Sequence, residues 1–268
     1  MASIRHELQE LDSLTIYVIV DNELDPISPP TTTTVKQSGN ILDIAIRSAP
    51  LGPESRGGAI REIRMDEICC GAHGLSLLIV GEKDGVSRTI MFDTGPEEEV
   101  WKRNASRLGL TEMVGRDLER IVLSHWHRDH SGGMLEVVRT AAQARSSSKQ
   151  AKVPPVVVDL HPARPMYRGI RLPEMSPLSF EADPSFADIE KMGGKVEKST
   201  NTHTILDDMF LVSGEIPRVT EYEQGLRFGV RLDEGSKDWE KDEAMVDERF
   251  LMCNVKGKLL PYRTGKAD

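Results

Sequence analysis

The residues with the most chemical capacity are gathered in Ser124-His125-Trp126-His127-Arg128-Asp129-His130-Ser131-Gly132-Gly133. The chain has seven histidines in 268 residues, and His125, His127 and His130 share this one stretch. The run just before it, Arg120-Ile121-Val122-Leu123-Ser124, reads as a short buried strand because β-branched and aliphatic residues dominate it. If the backbone stays extended past Ser124, side chains alternate, and His125, His127 and Asp129 point the same way. Asp129 and His130 then sit where Ser131-Gly132-Gly133 lets the chain turn into a helix. Two imidazoles on one face, beside a carboxylate and a third imidazole, suit Zn²⁺ or another divalent metal such as Mn or Fe. A polar strand end with solvated histidines is the competing reading, and the clustering argues against it.

Positioning such a cluster takes a mixed α/β frame. Residues 14–20 lack polar alternation and predict a fully buried strand. Residues 75–80 and 88–92 predict two strands joined across Glu82-Lys83-Asp84-Gly85, a hairpin. Pro96-Glu97-Glu98-Glu99 opens a helix reaching about Gly109, with proline in the first turn and acids at the positive end of the dipole. Residues 118–124 lead into the histidines. Met134, Leu135, Val137, Val138 and Ala141 predict an amphipathic helix starting at Ser131. Val156-Val157-Val158 predicts a further buried strand before Asp159-Leu160-His161-Pro162. Beyond it, 162–184 reads as a proline-rich loop, 186–192 as a short helix, and 205–206, 209–212 and 250–255 as strands. Residues 2–12 predict a short helix, and 25–40 and 50–70 surface loops. Strand, helix and strand in this rhythm imply an α/β (α+β) fold with layered sheets and helices.

Composition narrows the setting. Hydrophobic residues make up 38% and charged residues 29%, which suits a soluble chain with a substantial core. No segment approaches a membrane-spanning apolar run. Arg5, His6, Glu7 and Glu10 with no apolar run behind them do not read as a secretory signal. Cys69, Cys70 and Cys253 are an odd set with two neighbours, so a disulfide framework is not expected and a cytoplasmic setting is. A net charge of −9 argues against a nucleic-acid surface and leaves room for a small-molecule substrate, even an anionic one held by local cations. Arg164 and Arg168, just after His161, are the candidate cations, because guanidinium forks suit phosphate or carboxylate. A solvated loop is the other reading.

His-x-His-x-Asp-His after a buried strand resembles the metal-binding signature of the metallo-β-lactamase superfamily. Thr89-Ile90-Met91-Phe92-Asp93-Thr94-Gly95 is similar to that superfamily's strand and Asp-Thr-Gly loop. Tyr17-Val18-Ile19-Val20-Asp21-Asn22, Gly74-Leu75-Ser76-Leu77-Leu78-Ile79 and Gly214-Glu215-Ile216-Pro217-Arg218 resemble one branch, the dihydropterin–ribofuranosylaminobenzene-phosphate synthase-like proteins. Asp242-Glu243-Ala244-Met245 matches the same branch. The resemblance implies an αββα sandwich with two metals at one edge of the sheets. It places His125 and His127 on one metal and Asp129 and His130 on the second, with Asp129 also catalytic. Asp93 would orient the ligand loop through hydrogen bonds without touching metal. A plain turn aspartate is its alternative. The implied chemistry is hydrolysis or a related transfer through a metal-activated water.

The resemblance also implies ligands from the C-terminal part, following a Thr-Gly-Cys-Ser-His segment. Here Leu251-Met252-Cys253-Asn254-Val255-Lys256-Gly257-Lys258 is followed by ten other residues, and no histidine lies beyond His203. The expectation is a single domain over 1–258, incomplete in its C-terminal half, with an unrelated tail at 259–268. Such a chain would bind at most one metal tightly and be catalytically impaired, with strand 250–255 near an open edge. His161, after a buried strand, could stand in as a ligand at the site edge. His203 reads as a surface strand residue or a ligand, and His73 as a strand cap.

Overall fold

The computed structural model describes residues 8–28, 39–52, 54–147, 153–256 and 258–262. Its main sheet has six strands, in the order Ser13–Val20, Ser76–Lys83, Val86–Phe92, Leu118–Val122, Val157–Leu160 and Lys195–Lys198. The first three pair antiparallel and the last four run parallel. The predicted hairpin closes on Asp84 and Gly85, both at positive φ (48° and 78°), which matches the right-handed twist of the strands it joins. Parallel neighbours need crossover connections, and helices Glu98–Arg107, Thr111–Asp117, Met134–Ser147 and Phe186–Lys191 supply them. Helix Phe186–Lys191 starts on a capping box between Ser185 and Asp188.

These helices cover one face of the sheet, where Leu78, Met91 and Ile121 meet Trp101, Val114, Val137 and Ile189. The opposite face, with Leu77, Ile79, Ile90, Phe92 and Val122, packs on Phe210, Val212 and Leu251 of a second sheet. Successive buried residues of the central strands Ser76–Lys83, Val86–Phe92 and Leu118–Val122 thus go to opposite cores. With both faces buried, the middles of these central strands have no polar alternation, which is how the sequence presented them. The second sheet holds Glu10–Leu11, Leu251–Val255, Phe210–Val212 and His203–Ile205, with Lys258–Tyr262 also paired to Leu251–Val255. A third, four-stranded sheet joins Glu240–Lys241, Gly229–Leu232, Tyr167–Ile170 and Leu178–Ser179.

Four expectations need correction. Ser13–Val20 lies at the margin of its sheet, and Ile16 and Val18 are exposed, because an apolar run signals a strand without saying what covers it. Where a helix was expected over 2–12, Glu10–Leu11 pairs with Asn254 and Val255 as a strand; residues 1–7 lie outside the described residues. The loop expected over 162–184 contains two strands of the third sheet. Strand Leu251–Val255 is not an open edge, since it pairs with Phe210–Val212, with Glu10–Leu11 and with Lys258–Tyr262. The beginning of the expected tail is therefore part of the sheet, and 263–268 lie outside the described residues.

Candidate metal centre

Strand Leu118–Val122 stops before the histidines, which two turns then gather. His127 N–H donates to His125 C=O (3.0 Å), closing a three-residue turn around Trp126. A helical turn, Arg128–Ser131, begins at once, with His130 N–H and Ser131 N–H on His127 C=O (2.9 and 3.0 Å). The ring centroids of His125 and His127 are 4.8 Å apart, and those of His125 and His130 4.4 Å. Extended alternation therefore does not carry Asp129 to this group. It arrives from the helical turn, its Oδ2 3.4 Å from His130 Nε2 and 3.3 Å from His73 Nε2.

Three loops meet here at backbone distance. Thr94 N–H and its hydroxyl donate to His130 C=O (2.7 and 2.9 Å), Gly133 N–H to Gly95 C=O (3.2 Å), and Leu75 N–H to Asp129 C=O (3.3 Å). A Cβ at Gly74 would overlap Asp129 O, and one at Gly132 would overlap Pro96 O. The glycines are what let the Asp-Thr-Gly loop and the histidine turn touch.

Asp93 sets the orientation of the rings. It is fully buried, at φ 58°, and accepts Ser124 N–H (2.7 Å) and the Ser124 hydroxyl (2.8 Å) while facing His130 Nδ1 (2.7 Å). A serine hydroxyl has one proton. Because that proton goes to Asp93, Ser124 Oγ must accept at its other contact, from His125 Nδ1–H (3.0 Å). Counting donors thus assigns the ring hydrogen to Nδ1 in both His125 and His130. Nε2 of His125 is left with its lone pair. Burial pushes His125 well below the ordinary histidine range and His127 down to about 4, so both are neutral at pH 7. Burial also acts against charge on His130, but Asp93, Asp129 and Asp183 together outweigh it and raise its pKa.

His127 Nε2 is buried with no hydrogen-bond partner. An orphaned imidazole nitrogen beside a second neutral imidazole, with a carboxylate at hand, fits a divalent ion that takes N and O ligands. Among the described residues, however, no three His, Cys, Asp or Glu side chains already close into a metal cage. The rings are neighbours without a common focus, and Asp129 Oδ2 and His130 Nε2 face each other.

Arg164 and Arg168 both have partners within the chain. Arg168 is 3% exposed and donates from Nε to Asp242 (2.8 Å), from Nη1 to Trp126 C=O (2.6 Å) and from Nη2 to Asp247. Arg164 donates to the carbonyls of Pro184 and Asp183, with its guanidinium 5.8 Å from the Trp126 ring centre. Strand pairing of Tyr167–Ile170 turns Arg168 inward, which a loop reading could not foresee. His161 is buried with Nε2 on Glu215 (3.1 Å), and His203 Nε2 meets Asp159 (2.8 Å). Each of these nitrogens is spent on a carboxylate. His73 does not cap a strand; it bridges Asn22 (2.9 Å) and Asp129 at the surface. Sequence reasoning missed Asp247, Arg249 and Asp183, which are all buried next to the histidine turn or its supporting strand. An acid-rich segment usually reads as a solvated face, and only the burial distinguishes this one.

The family model described as the metallo-beta-lactamase superfamily matches residues 72–220, more than half of the chain. The chain belongs to this superfamily. It is 25% identical over 186 residues to a 7,8-dihydropterin-6-methyl-4-(beta-D-ribofuranosyl)-aminobenzene-5'-phosphate synthase of Methanocaldococcus jannaschii, covering 65% of this chain and 53% of the relative. A lactamase-like protein of Pestalotiopsis microspora is 37% identical over 67 residues, 25% of this chain and 19% of that protein. Among solved structures, one described as a metal-dependent hydrolase of the beta-lactamase superfamily aligns with a TM-score of 0.53 at 16% identity, over 93% of this chain and 64% of its own. That likeness establishes the metallo-beta-lactamase fold. The chain spans about half the length of the methanogen synthase.

Proposed function

We propose that this chain is a metal-dependent hydrolase, or a related transferase, acting on a small molecule. The observation that carries the reading is the pair of buried, neutral imidazoles His125 and His127, one of them with an orphaned Nε2. His125 and His127 would hold a divalent metal, zinc or another of similar ligand preference, and Asp129 and His130 would hold a second. When bound, such a metal polarises a substrate oxygen and lowers the pKa of water. The chain's own groups do the rest. Asp93 fixes the ring tautomers through Ser124 and His130. Asp129, partly exposed at the rim, is the carboxylate best placed to orient a nucleophile or accept its proton. The synthase name of the methanogen relative supports transfer as an alternative to hydrolysis. Three free cysteines support a reducing, cytoplasmic setting, and no described helix is long and apolar enough to cross a membrane.

A second reading, a catalytically impaired member with at most one weak metal site, is favoured by the mutual facing of Asp129 and His130. One experiment separates the two. Purified full chain is dialysed, its metal content measured, and chromogenic ester and phosphodiester hydrolysis assayed for it and for His127→Ala. The proposal expects retained metal and turnover that both fall in the variant. A chain without retained metal or turnover would favour the second reading.

A further inference from the structure

Trp126 is the central residue of the turn that sets His125 against His127, and its polar groups point outward into protein rather than into the turn. Its N–H donates to Asp247 Oδ2 (2.6 Å), its C=O accepts from Arg168 Nη1 (2.6 Å), and its indole N–H donates to His161 C=O (2.9 Å). Asp247 and Arg168 bind each other, Asp247 is fully buried, and Asp242 closes the far side of the guanidinium at Nε (2.8 Å). A three-residue turn leaves the peptide groups of its middle residue unsatisfied. Buried without partners, those groups would drive the turn open.

We propose that Asp247 and Arg168 form a positioning clamp that holds the His125-Trp126-His127 turn in the geometry needed for metal capture. This rests on the reading of the histidines as metal ligands. The clamp acts on the two peptides that lie between the imidazoles: Asp247 fixes the His125–Trp126 peptide, and Arg168 fixes the Trp126–His127 peptide. A planar fork is needed, because one guanidinium must reach a carboxylate and a carbonyl together. Asp242 touches Arg168 but not Trp126, so it shares the buried ion network without gripping the turn.

The test uses the full chain titrated with Co²⁺, whose visible spectrum reports ligand geometry, with urea unfolding of each metal-free protein as the stability control. Arg168→Lys and Asp247→Asn should bind Co²⁺ about 10- to 100-fold more weakly, with a changed spectrum. Asp242→Asn should keep the wild-type spectrum even where it lowers stability. If Arg168→Lys and Asp247→Asn lose stability but bind Co²⁺ like wild type, the pair is merely structural and the clamp is overturned while the metal reading stands. If wild type itself binds no Co²⁺, both fall together. Should the variants fail to fold, hydrogen exchange on the wild-type chain decides: the Trp126 amide should be among the slowest, and rapid exchange there overturns the clamp.

Discussion

Asp93→Asn tests the logic of the site most directly. Asp93 sits at φ 58°, where an alanine would add strain, roughly 1–2 kcal/mol, that asparagine mostly escapes. Asparagine also keeps the shape, so the change isolates the loss of charge and of one acceptor. Its oxygen should stay on Ser124 N–H, which has no substitute acceptor, putting the amide NH₂ where Oδ2 was. There it faces the Ser124 hydroxyl and His130 Nδ1. The serine must turn its proton away and accept; His130 must give up its Nδ1 hydrogen. Three charge-assisted hydrogen bonds become neutral ones, which should cost about 1–3 kcal/mol of stability in all. Both rings are then driven to carry hydrogen on Nε2, the nitrogen a metal would need. Metal affinity should fall by roughly 10- to 100-fold, the usual effect of losing such an orienting partner.

The assay pairs urea unfolding, followed by fluorescence of the buried Trp101 and Trp126, with Zn²⁺ competition against a chromogenic chelator. If Asp93→Asn stays within about 0.5 kcal/mol of wild type and binds Zn²⁺ equally well, the tautomer argument is wrong.

Gly132→Ala should lower the urea midpoint by the equivalent of about 1–3 kcal/mol or more, because its Cβ would overlap Pro96 O with backbone on both sides; a wild-type midpoint would mean the loops are not packed as described. His203→Gln should cost stability chiefly in mildly acidic solution. Its hydrogen bond to Asp159 raises its pKa, so its contribution is complete below 6.5 and fades as pH rises through the folded value; Asp159, held low by His203 and Arg249 against burial, contributes above 3.8. Equal losses at about pH 5 and pH 9 would contradict that sign. Cys70 should react with iodoacetamide before Cys69 and Cys253. Arg103 and Arg107 lie 3.6 and 3.4 Å from its sulfur and lower its pKa, whereas burial raises Cys69 and pushes Cys253 up to about 11. Mass spectrometry of partly alkylated native protein reads the order.

What was legible in the sequence was what is local. Residues 77–79 and 90–92 are apolar on both faces because helices and a second sheet cover them, and that shows as two apolar runs flanking the polar hairpin at Asp84-Gly85. The histidine cluster stands out by type and spacing. Asp93 could be assigned an orienting role only through family resemblance, since an aspartate before Thr-Gly is otherwise an ordinary turn residue. The third sheet escaped notice because its strands are short and lie in proline-rich or charged sequence, where neither period is strong.

The mechanism of convergence was not legible, for a physical reason. Extended alternation and a tight turn both put residues i and i+2 near one another, so the spacing of His125 and His127 cannot tell them apart. What selects the turn is the fate of the Trp126 peptide groups. They are satisfied from Arg168 and from Asp247, 42 and 121 positions away. Arg249 does the same for the preceding strand end, giving its Nη2 to Leu123 C=O and its N–H to Ser124 C=O (2.7 and 2.8 Å). Removing one partner of such a buried ion pair usually costs about 3–5 kcal/mol, whereas replacing both with apolar residues can cost nothing. Here the apolar replacement is not equivalent, because it would leave the Trp126 carbonyl and amide buried and unpaired. Arg168 is thus explained by the Trp126 carbonyl it satisfies, and Arg164 likewise gives its Nε and Nη2 to the carbonyls of Pro184 and Asp183.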